Sequence, residues 1–574
     1  MKKIVRKKIT PILLCAFMLV SVDSHAFIDD TELMTEEAIT EVEETTKMFD
    51  ENGDKIFENL ADKIKDIMED EKVTVTVVFK DKYETVKQQV VELLGDFDTK
   101  YEFNNIPAAT MKLSKKQIYL LSKLDMVQQI EYDEEVKAFM DTSRYWFGTA
   151  KACTDFGLDG DRDGNINTYS KDDVVIAVID TGIDEIHIDL DGKVIGWKDY
   201  INNDTSPYDD NGHGTHVSGI IAGEGQGNSM YEGVAKGAAL VGLKVLDSRG
   251  SGSMSDVTAA IDWCVTNKDT YGIDIINMSL GTSGSSDGTD SASLAVNNAN
   301  ENGIIVAVAA GNSGPKKYSI GSPGAAKGAL TVGSMVDIGE GGFQLASYSS
   351  RGYTADSRIK PDICAPGTKI TAAKADSVNG YTTLSGTSMA TPFAAGTIAL
   401  MLDANPSLLP SQIKDILKDT AQDWGIQGKD PEYGYGKLDG YKAIKEAGNY
   451  SGDNISLPNH LYGIEELTGK LKKDEWEFNI NDTNYPIAIT FIMPDWDRNL
   501  RLNIFLFDPD GNLVDQSILN RRQKNISFTP TSTGTYKLRV RALENNRYGT
   551  YYFDISAGGD SLTRTQDDVF GIQE

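Results

Sequence analysis

Between Lys72 and Phe79 the chain alternates: Val73, Val75, Val77 and Phe79 are apolar, Thr74 and Thr76 polar. A period of two predicts a half-buried strand. A helical stretch from Tyr83 to Leu94 follows, then short strands near 99–103 and 109–113. A second helix from Ser114 to Lys123 and a strand from Met126 to Tyr132 complete the run. The order β-α-β-β-α-β predicts a ferredoxin-like α+β unit.

From Asp173 to about Ala447 the rhythm changes. Predominantly apolar strands, Val174–Ile179, Leu240–Leu246, Ile273–Met278 and Ile304–Ala309, alternate with helical stretches. Such strands are buried on both faces, which predicts an α/β fold with a parallel sheet flanked by helices. Gly448, Ser451-Gly452 and Pro458 mark a linker over 448–460. Beyond it, 461–557 reads as an all-β, jelly-roll-like sandwich of short strands and turns such as Asp508-Pro509-Asp510-Gly511. Residues 558–574 read as a tail.

The N-terminus has a different pattern. Lys2, Lys3, Arg6, Lys7 and Lys8 precede an apolar run from Ile9 to Val20, then Ser24-His25-Ala26. That is the layout of a secretory signal peptide over 1–26, too short to span a bilayer. An acidic pro-segment (27–70) and the α+β unit (71–140) would then precede a catalytic region at 141–447. Export changes the reading of the charge. The chain carries −30 at neutral pH; the first 26 residues hold five cations and one acid, so the remainder carries about −34. This excludes nucleic acid as a partner and charge-driven binding to anionic membranes. Apart from Cys15, the cysteines are Cys153, Cys264 and Cys364. Three thiols allow one intramolecular disulfide at most and have no zinc-ligand spacing.

Three motifs carry chemistry. Val178-Ile179-Asp180-Thr181-Gly182-Ile183-Asp184 places Asp180 at the end of an apolar strand, where open α/β sheets put their sites. Asn211-Gly212-His213-Gly214-Thr215-His216-Val217-Ser218-Gly219 offers a base. Gly386-Thr387-Ser388-Met389-Ala390-Thr391-Pro392 places Ser388 before a long apolar helix. Each residue alone reads as a cap or a structural group. Together, in the order acid, His, Ser, they point to a nucleophilic triad.

With these motifs the region 173–447 resembles the subtilisin-like serine proteases, the subtilases. The resemblance implies Asp180 as triad acid, His213 as general base and Ser388 as nucleophile. Asn312, in Ala309-Ala310-Gly311-Asn312, corresponds to the side-chain donor of the oxyanion hole, with the Ser388 N–H as second donor. Ser279-Leu280-Gly281 would line one wall of the substrate pocket and Gly250-Ser251-Gly252 the opposite edge. Gly321 falls at the pocket floor, and a glycine there implies preference for large apolar residues before the cut bond. The α+β unit resembles the propeptide that inhibits and chaperones these enzymes, with self-cleavage between Val136 and Asp141, after Phe139 or Met140. The β region resembles domains of the pre-peptidase C-terminal type. Partners would be protein substrates and the chain's own propeptide, and the enzyme is expected to act as a monomer without membrane insertion. An acid-active sedolisin-type protease would need Glu in place of His213 and Asp in place of Asn312.

Calcium is the expected cofactor. Asp159-Gly160-Asp161-Arg162-Asp163-Gly164-Asn165-Ile166-Asn167 has oxygen ligands at alternate positions, then Gly, as an EF-hand-like loop begins. Its twelfth position is Ser170, for which Asp172 or Asp173 would substitute. Asp189 corresponds to a calcium ligand of many subtilases.

Overall fold

The computed structural model describes residues 53–570, apart from 66, 70, 96, 103–106, 133–141, 166–167, 468–471, 495–501, 519–520 and 543–548. The expected signal peptide, most of the expected acidic pro-segment, the expected self-cleavage site and Asn167 lie outside the described residues. Among the described residues no helix is long and apolar enough to cross a membrane.

The first unit is built as the alternation predicts. Strands β1 (Lys72–Phe79), β2 (Asp98–Glu102), β3 (Ala108–Ser114) and β4 (Val127–Tyr132) form an antiparallel sheet in the order β2-β3-β1-β4. Helices α1 (Tyr83–Leu94) and α2 (Lys115–Ser122) connect them. Val75, Val77 and Phe79 pack with Val86, Val90, Ile118 and Leu121. Ser114 starts α2 through a reciprocal cap: its N–H donates to Gln117 Oε1 at 2.9 Å while its Oγ accepts from Gln117 N–H.

The second unit is organised by a sheet in the order β11-β10-β9-β8-β5-β7-β6, with β12 beside β10. Its strands are β5 (Val175–Asp180), β6 (Val194–Asp199), β7 (Ala239–Lys244), β8 (Ile273–Met278), β9 (Ile305–Ala309), β10 (Leu330–Val336), β11 (Gln344–Leu345) and β12 (Ile363–Pro366). All pairings are parallel except β10 with β11. Every residue of β5 and β7 is buried, which explains why they are apolar up to Asp180 and Lys244 at their C-terminal ends. Helices α3 (His213–Ala222), α4 (Met254–Thr266), α5 (Ser291–Glu301), α6 (Thr387–Ala404), α7 (Pro410–Thr420) and α8 (Gly440–Ala447) flank the sheet, with a hairpin of β13 (Ile370–Ala373) and β14 (Tyr381–Leu384) against α3. Cys153, Cys264 and Cys364 are free thiols.

The third unit is a sandwich. Strands β15 (Asn459–Leu467), β17 (Ile487–Ile492), β20 (Gln523–Phe528) and β22 (Gly549–Ala557) form one sheet. Strands β16 (Lys472–Ile480), β18 (Leu502–Phe507), β19 (Leu513–Ser517), β21 (Gly534–Ala542) and β23 (Gly559–Phe570) form the other. Trp476, Phe478, Ile489, Phe491, Leu538 and Phe553 fill the space between them. The expected tail at 558–574 is corrected here: 559–570 is the edge strand β23, paired with β16 and anchored by Arg564 on Asp474 at 2.9 Å.

The sandwich is joined to the α/β unit by a polar seam. Leu345 N–H donates to Thr490 Oγ1 at 3.1 Å and its carbonyl accepts from Gln523 Nε2 at 2.7 Å. Buried Asp554 accepts from Gly425 N–H at 3.0 Å and Tyr433 O–H at 3.2 Å, and its Oδ1 lies 2.8 Å from His460 Nε2. The His460 ring stacks on Trp424 at 4.2 Å.

Candidate active site

Asp180 is the last residue of β5 and is fully buried. Its Oδ1 accepts from Thr181 N–H at 2.7 Å and lies 2.7 Å from His213 Nδ1. Its Oδ2 is buried without a partner. A buried carboxylate with so few donors acts on the imidazole beside it. Burial alone would pull His213 down, but the charge and hydrogen bond of Asp180, helped by Asp209, raise it above the ordinary 6.5.

His213 opens α3. Gly214 next to it is required by packing: a Cβ there would stand 2.1 Å from the Gly182 carbonyl oxygen. Sequence reasoning missed Asp209, which fixes this helix start. Its carboxylate accepts from the N–H groups of Asn211, Gly212 and Thr215 and the hydroxyls of Thr181 and Thr215, at 2.7–3.1 Å. An acid four residues before a helix-opening His is a capping signal, and that was the clue available. His216 is a structural histidine. It is buried, its Nε2 lies 3.0 Å from the Thr382 carbonyl, and burial together with His213 holds it down at about 4.

Ser388 is the second residue of α6. Its Oγ donates to the Ser279 carbonyl at 3.0 Å rather than to His213, while Ser279 Oγ donates to the Ser388 carbonyl at 2.8 Å. The nucleophile–base bond thus requires rotation of the serine side chain, as happens in sites that tighten only around substrate. Asn312 follows β9. Its Oδ1 accepts from Thr387 N–H at 2.9 Å and Thr387 Oγ1 at 3.1 Å. That turns Nδ2 toward Gly386, where a Cβ would come within 3.3 Å of it. Thr387, which the sequence did not single out, also accepts from Gly311 N–H at 3.2 Å, so one buried hydroxyl orients the amide donor.

Beside His213 runs a cavity of about 530 Å³. Gly250, Ser251 and Gly252 line one side, Ser279, Leu280 and Gly281 the other, with Leu246, Met254 and Val257 between them. No carboxylate lines it. Gly321 stands directly against Thr282, a residue of the cavity wall, whose carbonyl oxygen would lie 2.1 Å from a Cβ at 321.

The acidic loop differs in part from expectation. Asp161, Asp163 and Asp173 bring three carboxylate oxygens within 4.8 Å of one another. Asp173, not Asp172, closes the set; Asp172 is exposed and outside it. Asp173 Oδ1 is buried without a partner, and burial with the charges of its neighbours pushes this carboxyl up to about 6. Both observations fit a loop suited to a cation. Asp159 lies beside the cluster, its Oδ1 accepting from Asp161 N–H, and Asn165 hydrogen-bonds Thr168. Asp189 stands apart from this cluster: its carboxylate accepts from Tyr381 O–H at 2.8 Å and Gly227 N–H at 3.1 Å. The positive charge near it is the buried ammonium of Lys193, on the Lys236 carbonyl at 2.5 Å and over the Tyr169 ring.

Comparison with known proteins gives the same picture. Residues 171–436 match the subtilase family, and 51–117 match the Tk-SP N-propeptide domain. The serine protease AprX of Bacillus subtilis is 37% identical over 369 residues, 60% of this chain and 80% of that protein. A thermostable alkaline protease of Halalkalibacterium halodurans is 35% identical over 59% of this chain and 84% of its own length. Subtilisin E of Bacillus subtilis is 33% identical over 58% and 80%. The solved structure of sphericase aligns with 48% of this chain and 96% of its own at 34% identity, with a TM-score of 0.42.

Proposed function

Because the chain belongs to the subtilase family and is a serine endopeptidase, we propose that it is exported, cuts itself free of its propeptide, and prefers large apolar residues before the cleaved bond. The observation that carries this reading is the 2.7 Å contact of Asp180 with His213 Nδ1, next to Ser388 and an Asn312 amide held by Thr387.

In this reading Ser388 Oγ attacks the substrate carbonyl while His213 Nε2 takes its proton. Asp180 holds the proton on Nδ1 and stabilises the imidazolium. Asn312 Nδ2 and the Ser388 N–H meet the charge that develops on the carbonyl oxygen in the transition state. His213 then returns the proton to the leaving amine, and water hydrolyses the acyl-enzyme by the same steps. The edges at 250–252 and 279–281 hold an extended peptide by main-chain hydrogen bonds. Leu246, Met254, Val257 and Leu280, without a carboxylate among them, favour apolar side chains.

A peptide panel varying the residue before the cut bond tests the preference. Leu, Met, Phe and Tyr should give the highest kcat/KM, and strict cleavage after Arg or Lys would overturn it.

Calcium fits the acidic loop as a structural ion, with Asp161, Asp163 and Asp173 as carboxylate ligands and Asp159 and Asn165 close by. Its binding would neutralise carboxylates that now oppose one another. Removing it with EDTA should lower Tm by about 5 °C or more, with recovery on adding calcium. An unchanged Tm would remove calcium from this loop.

A further inference from the structure

Asp180, Ser279 and Asn312 lie at the C-terminal ends of their strands. At the opposite end of the sheet, the first residues of β10 and β12 adjoin α7 and the loop that holds Lys429 and Tyr435. These elements border a second cavity of about 160 Å³, room for roughly five waters. Four lysines line it, Lys327, Lys414, Lys418 and Lys429, against two carboxylates, Asp362 and Asp415.

Asp362 is already committed. It pairs with Lys429 at 2.8 Å and with buried Lys360 at 2.5 Å, and accepts from Thr331 N–H at 2.8 Å. Lys414 donates to a neutral group, the Gly328 carbonyl. Burial and the nearby Lys360 hold its ammonium down at about 8, the condition of a cation short of counter-charge. Among the described residues Lys418 faces Asp419 at 3.6 Å, outside the cavity lining, and the Tyr435 ring. On a chain with a net charge of −30, this solvent-accessible positive pocket runs against the overall field.

We propose that the pocket binds a small tetrahedral oxyanion of the sulfate or phosphate type, held by Lys414, Lys418 and Lys429 at the end of the sheet away from the triad. Bound there, the anion bridges β10, β12, α7 and the 429–435 loop, and adds stability by mass action without touching the chemistry.

The test uses the full chain carrying Ser388→Ala, which prevents self-digestion. Thermal unfolding is followed in sodium sulfate up to about 10 mM against sodium chloride at matched ionic strength. Sulfate should raise Tm by about 2 °C or more, and the rise should saturate. Lys414→Gln with Lys418→Gln should raise the half-saturating concentration at least tenfold. The exposed single change Lys418→Gln, which removes no buried group, should raise it about threefold. Coincident sulfate and chloride curves would overturn the proposal. So would a linear rise that both variants retain, which is the signature of general exclusion of sulfate from the protein surface.

Discussion

Replacing Ser388 by alanine should lower kcat by about 10⁶, or about 8 kcal/mol of transition-state stabilisation. The factor is the one known for subtilisin, a relative of this chain. The physical cause is that the attacking oxygen is gone while the oxyanion donors remain, so only the positioning and charge-stabilising part of catalysis survives. In the structure Ser388 Oγ makes a single bond, to the Ser279 carbonyl, so its loss leaves one exchangeable acceptor unpaired and the fold intact. The same variant reads out maturation. N-terminal sequencing should find wild type beginning just after 136–141 and Ser388→Ala still carrying the α+β unit. Normal trimming of the variant, expressed alone, would show that another protease removes it.

Asp180→Asn should lower kcat by about 10⁴ while leaving KM for a small peptide nearly unchanged. An amide in place of the carboxylate can present N–H to the ring, which favours the tautomer with its proton on Nε2. That tautomer cannot accept the proton of Ser388. The electrostatic effect adds to this: Asp180 supplies the charge that holds His213 above its ordinary value against burial. The base works only when neutral, so activity is lost as pH falls through the His213 value. Without the carboxylate that acid limb should move to lower pH. A profile of kcat/KM against pH for the two proteins checks both parts, and an unmoved limb would mean that Asp180 does not set the base.

Asp180, His213, Ser388 and Asn312 were legible because each is embedded in a local stretch of Gly and small residues that fixes its backbone. Thr387 was not, because its work is tertiary: it bonds Gly311 and Asn312, distant in sequence. Asp209 works mostly locally, on N–H groups two to six residues ahead, where an Asp reads as an ordinary cap; its bond to Thr181 is the long-range one. The bond from Tyr381 to Asp189, 192 residues apart, is likewise beyond what a linear pattern shows. Strand β23 was hidden by composition. It is a polar edge strand with one face packed, so Gly559–Phe570 has too few apolar positions to announce a strand. The ferredoxin-like unit and the central sheet, by contrast, follow directly from periods of two and from predominantly apolar runs.

The seam at β11 bears on timing. Trp424, Tyr433 and the buried charges of Arg351, Asp430 and Glu432 are covered from the sandwich side by His460, Gln523, Tyr552 and Asp554. Among the described residues these groups are covered from the sandwich side by chain beyond residue 459, so deleting that chain should expose them and lower the Tm of the α/β unit. A chain made from its N-terminus therefore has Asp180, His213 and Ser388 in hand well before the surface behind them can close.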